Sequence, residues 1–159
     1  MSDDEALRQQ LAKAIDWHEA HADFHAAVDG FPAKLRGRVP EGFPYSAWQL
    51  LEHIRLALWD ILEFSRDARH KSPKWPEGYW PKTAAPPDAD AWDRSIKAVE
   101  EHVHAMRKLV TDPSRDLFAP LPHGTGQTLL REVLLVADHN AYHLGQLVLV
   151  RRALGAWHD

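Results

Sequence analysis

Proline constrains this chain more than any other residue. All eleven prolines fall within 32–44, 73–87 and 113–122. Because proline lacks a backbone donor and clashes with the turn before it, helices are confined to the stretches between. Four proline-free segments remain, 1–31, 45–72, 88–112 and 123–159. Each is long enough for several turns, and together they predict four helices.

Local signals agree. In the second segment Leu50, Ile54, Ala57, Leu58 and Ile61 recur at spacings of three and four. In the fourth, Leu129, Val133, Val136, Asn140, His143, Leu147, Val150 and Leu154 do the same, which is the signature of an amphipathic helix. Ser46 and Gln49 have capping-box spacing, Asp88 can cap the third segment and Thr125 or Thr128 the fourth, while Gly30 and Gly155 stand near helix exits. No region alternates with period two. The expectation is an all-α, four-helix bundle forming one domain over 1–159. The last helix carries a second apolar set, Leu130, Leu134, Ala141, Leu144 and Val148. A second subunit and a third neighbouring helix would bury it equally well.

Composition narrows the chemistry. The chain has no cysteine, which removes disulfides, thiolate metal sites and a cysteine nucleophile. Its formal charge is −4, with scattered Lys and Arg, so there is no basic stripe and no nucleic-acid partner is expected. The acidic start "MSDDEALRQQ" lacks the apolar core of a secretion signal, and no stretch is apolar for the roughly 18 residues that span a bilayer. A cytoplasmic protein without a membrane partner is expected.

Any metal must then bind through nitrogen or oxygen, and the chain has eleven histidines. In "DHNAYHLGQ", His139 and His143 are four residues apart. On a helix that separation leaves both rings within about 40° of one another, on the inward stripe. His53, in "WQLLEHIRLALWD", shares a helix face with Leu50, Ala57 and Asp60 and supplies a third imidazole. Three neutral imidazoles leave a divalent ion its full charge and an open position, as in a catalytic site. An inward histidine is also commonly satisfied by a carbonyl or carboxylate, so hydrogen-bonded core histidines remain an alternative. Asn140 stands where a zincin keeps its glutamate base, which disfavours a zinc protease. In "WHEAHADFH", His18, His21 and His25 offer a rival ion site beside Glu19 and Asp23, with His21 also a candidate to line the main pocket. Glu52 and Asp60 are candidates to orient an imidazole or shuttle a proton. Trp75, Tyr79 and Trp80, in the proline-rich "KSPKWPEGYWPK", either cover a pocket or pack on the bundle. The charges around Glu100, Glu101, Arg107 and Lys108 read as a solvated helix face.

The stretches "SAWQLLEHIRLALWDILEFSRD", "KWPEGYWP" and "HGTGQTLLREVLLVADHNAYHLGQLVLVRRALGAW" together resemble the DinB/YfiT-like superfamily of metal-dependent bundle proteins, from about residue 20 onward. The resemblance implies an up-down-down-up bundle, frequent homodimers and a divalent ion on the positions that are here His53, His139 and His143. It also implies, for some members, a low-molecular-weight thiol as cosubstrate in transferases and isomerases, and no DNA role. Zn, Ni or Fe would suit three imidazoles alike. The functional expectation is a thiol-dependent transferase or a hydrolase acting on a small molecule. The alternative is a non-catalytic bundle that binds a metal or small ligand.

Overall fold

The computed structural model describes residues 1–16, 18 and 20–157, and over these the chain is helical without a named strand. Four long helices form: α1 (Asp3–Ala14), α3 (Ala47–Arg66), α4 (Ala91–Thr111) and α5 (Leu129–Ala153), with a short α2 (Phe24–Val28) after the first. The expected caps largely appear. Ser46 accepts from the Gln49 amide while the Gln49 side chain accepts from the Ser46 amide, and Thr128 accepts from the Arg131 amide. Gly30 and Gly155 leave their helices at φ of 63° and 67°, a conformation that side chains with a Cβ adopt at a cost. Asp88 lies outside the helix it was expected to cap. α4 begins at Ala91, and Asp88 instead accepts from the Asp90 amide and Arg94.

The first segment departs from expectation, since 1–31 does not make one helix. α1 stops at Ala14, and a new N-terminus forms at Asp23, whose carboxylate accepts from the Ala26 amide at 2.7 Å. Freedom from proline permits a helix but does not drive one. Asp and His are weak helix formers, and here Asp16 turns to Arg107, 3.1 Å away, instead of continuing the helix.

Cross-helix contacts fix the topology. Arg8 donates to the carbonyls of Val110 and Asp112, and further along α1 the Ala12 carbonyl accepts from Arg107, so α1 and α4 run antiparallel. Ser95 and Glu52 join the first halves of α4 and α3, which are therefore parallel. His123, just before α5, reaches the Phe64 carbonyl near the end of α3, whereas His139 meets His53 near its start, so α3 and α5 are antiparallel. The order is up-down-down-up. One apolar core runs through all five helices, with Leu51, Leu58, Val133 and Met106 at zero exposure.

Candidate metal centre

His53 sits one turn and a half into α3, and His139 and His143 lie mid-way along α5. Antiparallel packing of these two helices brings the three rings together. Their centroids are 4.9 Å (His53 to His139), 4.4 Å (His53 to His143) and 4.5 Å (His139 to His143) apart. One nitrogen of each lies within 4.8 Å of the other two, and among the described residues this is the one such group of His or carboxylates.

Two rings are held by partners on their other nitrogen. His53 Nδ1 donates to the Tyr79 carbonyl at 2.9 Å, and His143 Nδ1 to the Gln146 side-chain oxygen at 2.7 Å. A carbonyl can only accept, so both rings carry their proton on Nδ1 and present the Nε2 lone pair to the cluster. His139 Nε2 faces His53 Nε2 at 3.1 Å, while its buried Nδ1 has no hydrogen-bond partner. The Asn140 side chain lies beside it, unaligned, with its own Oδ1 unpaired.

This donor set fits a divalent ion. Nitrogens on a tetrahedral ion at bond lengths of about 2.0–2.1 Å lie about 3.3 Å apart, between the closest approach and the widest separation here. Without an ion His139 Nε2 can donate to His53 Nε2; a cation between them would take both lone pairs and leave His139 Nδ1 to bear the proton beside Asn140. Electrostatics agree. Burial pushes the His139 pKa down to about 4, with His143 and His53 adding to the effect. Burial also lowers His53, against the Tyr79 carbonyl and together with His143, and lowers His143 against Gln146. Burial thus favours the neutral form of all three, the form that binds metal.

Residues outside the three imidazoles complete the surroundings. Trp80 stacks on His53 with centroids 3.9 Å apart and planes 4° from parallel, and Tyr45 stacks on the far side of Trp80 at 4.1 Å. The aromatic loop therefore packs onto the cluster through Trp80, while Trp75, 65% exposed, stands 6.3 Å from His53. Tyr142, also 65% exposed, meets His143 edge-on at 4.9 Å.

The other expected site residues lie elsewhere. Asp60 does not touch the imidazoles; it accepts from the Tyr79 hydroxyl at 2.6 Å and from His70 Nε2 at 2.7 Å, and so acts on His53 through Tyr79. Glu52 faces α4, clamped by Arg55 and Ser95. His21 bonds the Ala22 carbonyl and lines a different cavity. The rival site does not assemble: His18 pairs with Asp16 and Asp23, His25 with Asp29 and Glu100, and the helix that would have aligned them is broken. Glu19 lies outside the described residues. Arg107 is not merely solvated, because it ties α4 to Ala12 and Asp16. Sequence reasoning missed Tyr79, Trp80 and Gln146 as partners of the imidazoles. Of these only Gln146, three residues after His143, had a helical spacing that could have exposed it.

A family profile described as the DinB superfamily matches residues 16–147. No curated protein and no solved structure matches the chain.

Proposed function

The chain belongs to the DinB superfamily, and from that premise we propose that it is a metal-dependent enzyme whose divalent ion, Zn, Ni or Fe, is held by His53, His139 and His143. Convergence of three neutral imidazoles from two antiparallel helices carries this reading. An ion with three uncharged ligands keeps its double positive charge and lowers the pKa of a water or thiol at an open position. That chemistry suits a thiol-dependent transferase or a hydrolase with a small-molecule substrate.

The chain's own residues have separable roles in this reading. Tyr79 and Gln146 fix the proton on the Nδ1 atoms and aim the lone pairs. Trp80 excludes water from one face of His53. Trp75 and Tyr142 flank the cluster as exposed aromatic surfaces suited to the apolar part of a substrate. Asp60 is a positioning residue acting through Tyr79, whereas Glu52 and His21 take no part.

We read 1–159 as one domain, in keeping with its continuous core, and as a homodimer through the outer face of α5. No helix of the described residues is long and apolar enough to cross a membrane.

Elemental analysis of protein prepared without a histidine tag tests the metal: one ion per chain is expected, and none in His139→Ala. Screening common low-molecular-weight thiols for thermal stabilisation then separates the enzyme from a binding bundle. Stabilisation by a thiol only in the metal-loaded protein supports the enzyme. Loss of most of the fold in His143→Ala, with no thiol effect, supports a structural ion.

A further inference from the structure

Five buried side-chain atoms among the described residues have no hydrogen-bond partner, and two of them are neighbours: His139 Nδ1 and Asn140 Oδ1. Buried polar atoms are nearly always paired, because leaving one unpaired costs the desolvation of the group. Two such atoms side by side call for a common cause.

The tautomers supply it. His53 and His143 carry their protons on Nδ1, so the 3.1 Å contact between His139 Nε2 and His53 Nε2 is a hydrogen bond only if His139 donates. Burial favours a single proton on His139. With that proton on Nε2, its Nδ1 is a lone pair, and the Asn140 Oδ1 beside it is also an acceptor. Two acceptors cannot bond, and each is left unpaired.

The surroundings offer Asn140 nothing else. Its side chain lines a cavity of about 240 Å³ that opens between α4 and α5 where α1 stops at Ala14. Ile54, Ala137, Ala141 and Leu144 give that cavity an apolar floor. Its acids are engaged with other groups of the lining, Asp16 with Arg107 at 3.1 Å and Glu100 with His25 at 3.4 Å. The carboxamide therefore stands between an apolar space and His139, with its oxygen closed off from water.

We propose that Asn140 is a positioning residue, the group that accepts from His139 Nδ1 once a divalent ion occupies Nε2. This rests on the proposed function. An ion on Nε2 leaves Nδ1 to carry the proton, so that a donor faces the amide oxygen where an acceptor did before. The third ring then gains the support that the Tyr79 carbonyl and the Gln146 side chain already give the other two. Because the metal-free ring cannot make this bond, the amide favours the loaded state over the empty one.

Zinc is the probe, titrated in competition with a chromogenic chelator into untagged full-length protein stripped of metal. One zinc per chain is expected in the wild type. Asn140→Leu and, separately, Asn140→Ala remove the acceptor and should weaken zinc by about tenfold or more while the far-ultraviolet helical signal is kept. Asn140→Asp keeps an acceptor of the same shape that cannot donate, and should bind zinc no more weakly than the wild type. A residue that only packs the cavity wall would give the reverse order, since a carboxylate is costlier than leucine against an apolar space. NMR of the imidazole nitrogens in zinc-loaded wild type should show His139 protonated on Nδ1 and slow to exchange, with faster exchange in Asn140→Leu. The proposal is overturned if the folded Leu and Ala variants bind zinc as tightly as the wild type, if Asn140→Asp is weakened as much as they are, or if the loaded His139 ring carries no Nδ1 proton. Absence of zinc from the wild type overturns the metal reading and this inference with it, whereas zinc held equally by every variant overturns this inference alone.

Discussion

Tyr79 makes two different contacts, one to the cluster and one away from it. Its carbonyl holds His53 in one tautomer, and its hydroxyl, partly withdrawn from water and donating to Asp60, has a pKa pushed up to about 12. The hydroxyl is thus a permanent donor, and Asp60, which also takes His70, pins the loop that carries the carbonyl. Tyr79→Phe and Asp60→Asn are both expected to weaken divalent-metal binding by about tenfold or more, the usual consequence of removing a partner behind a ligand. Competition with a chromogenic chelator measures this; unchanged affinity in both variants would sever the link between the loop and His53. The same three rings predict a pH response in the metal-free protein. His139 has a folded pKa of about 4 against an ordinary 6.5, so between those values the unfolded chain binds more protons. Stability is then full above about pH 6.5 and declines toward pH 4, by about 1.4 kcal/mol per unit for a group fully in that window. Urea midpoints across the range should fall with pH, and His139→Gln should flatten the fall. The four-residue spacing on an apolar stripe made His139 and His143 legible as a pair turned the same way, but it left core histidines as an alternative; only the family resemblance fixed them, with His53, as one ligand set. The Tyr79 and Trp80 contacts were not legible, because they depend on the path of a loop whose sequence specifies rigidity but not direction.

At the level of helices, ends were easier to read than continuity. A hydroxyl three residues ahead of a glutamine satisfies two orphan amides at once, and Ser46 and Gln49 do so. The Ser46 hydroxyl also donates to the Ala84 carbonyl, tying the start of α3 to the loop that leads into α4. Ser46→Ala removes a cap and leaves that carbonyl without its donor, so a loss of about 1–2 kcal/mol in unfolding free energy is expected from urea denaturation. A loss near zero would mean water replaces both contacts. Continuity failed in the first segment because prolines record where helices cannot go, while Asp16 and Asp23 found better partners in Arg107 and the Ala26 amide than a continuous helix offers. No periodicity within 1–31 reveals those partners, one of which lies on α4. The break has two structural consequences: it leaves His18, His21 and His25 without a common site, and it opens the cavity between α4 and α5.

On the whole molecule, one face of α5 leaves three large apolar side chains exposed among charged ones, Asp138 between them. Leu134, Tyr142 and Leu149 are 51%, 65% and 56% exposed, at spacings of eight and seven that keep them on one side of the helix. The surplus apolar set read from sequence is only partly the same: Leu144 is buried, whereas Leu134 stays outside. Periodicity could not decide which face a neighbour would take, because both stripes have helical spacing. A helix of 25 residues is about 37 Å long, and paired with its copy it can anchor an interface of standard size, about 800 Å² on each partner. Light scattering on a sizing column should therefore give twice the chain mass. The double substitution Leu134→Glu with Leu149→Glu places charges on both subunits across a two-fold axis and should return the mass to that of one chain, with helicity unchanged. Under the proposed function, metal content should remain at one ion per chain in that variant, because all three imidazoles of the cluster come from a single chain. Loss of the ion together with the dimer would instead mean that Tyr142, in contact with His143, needs the second subunit to hold the cluster in shape.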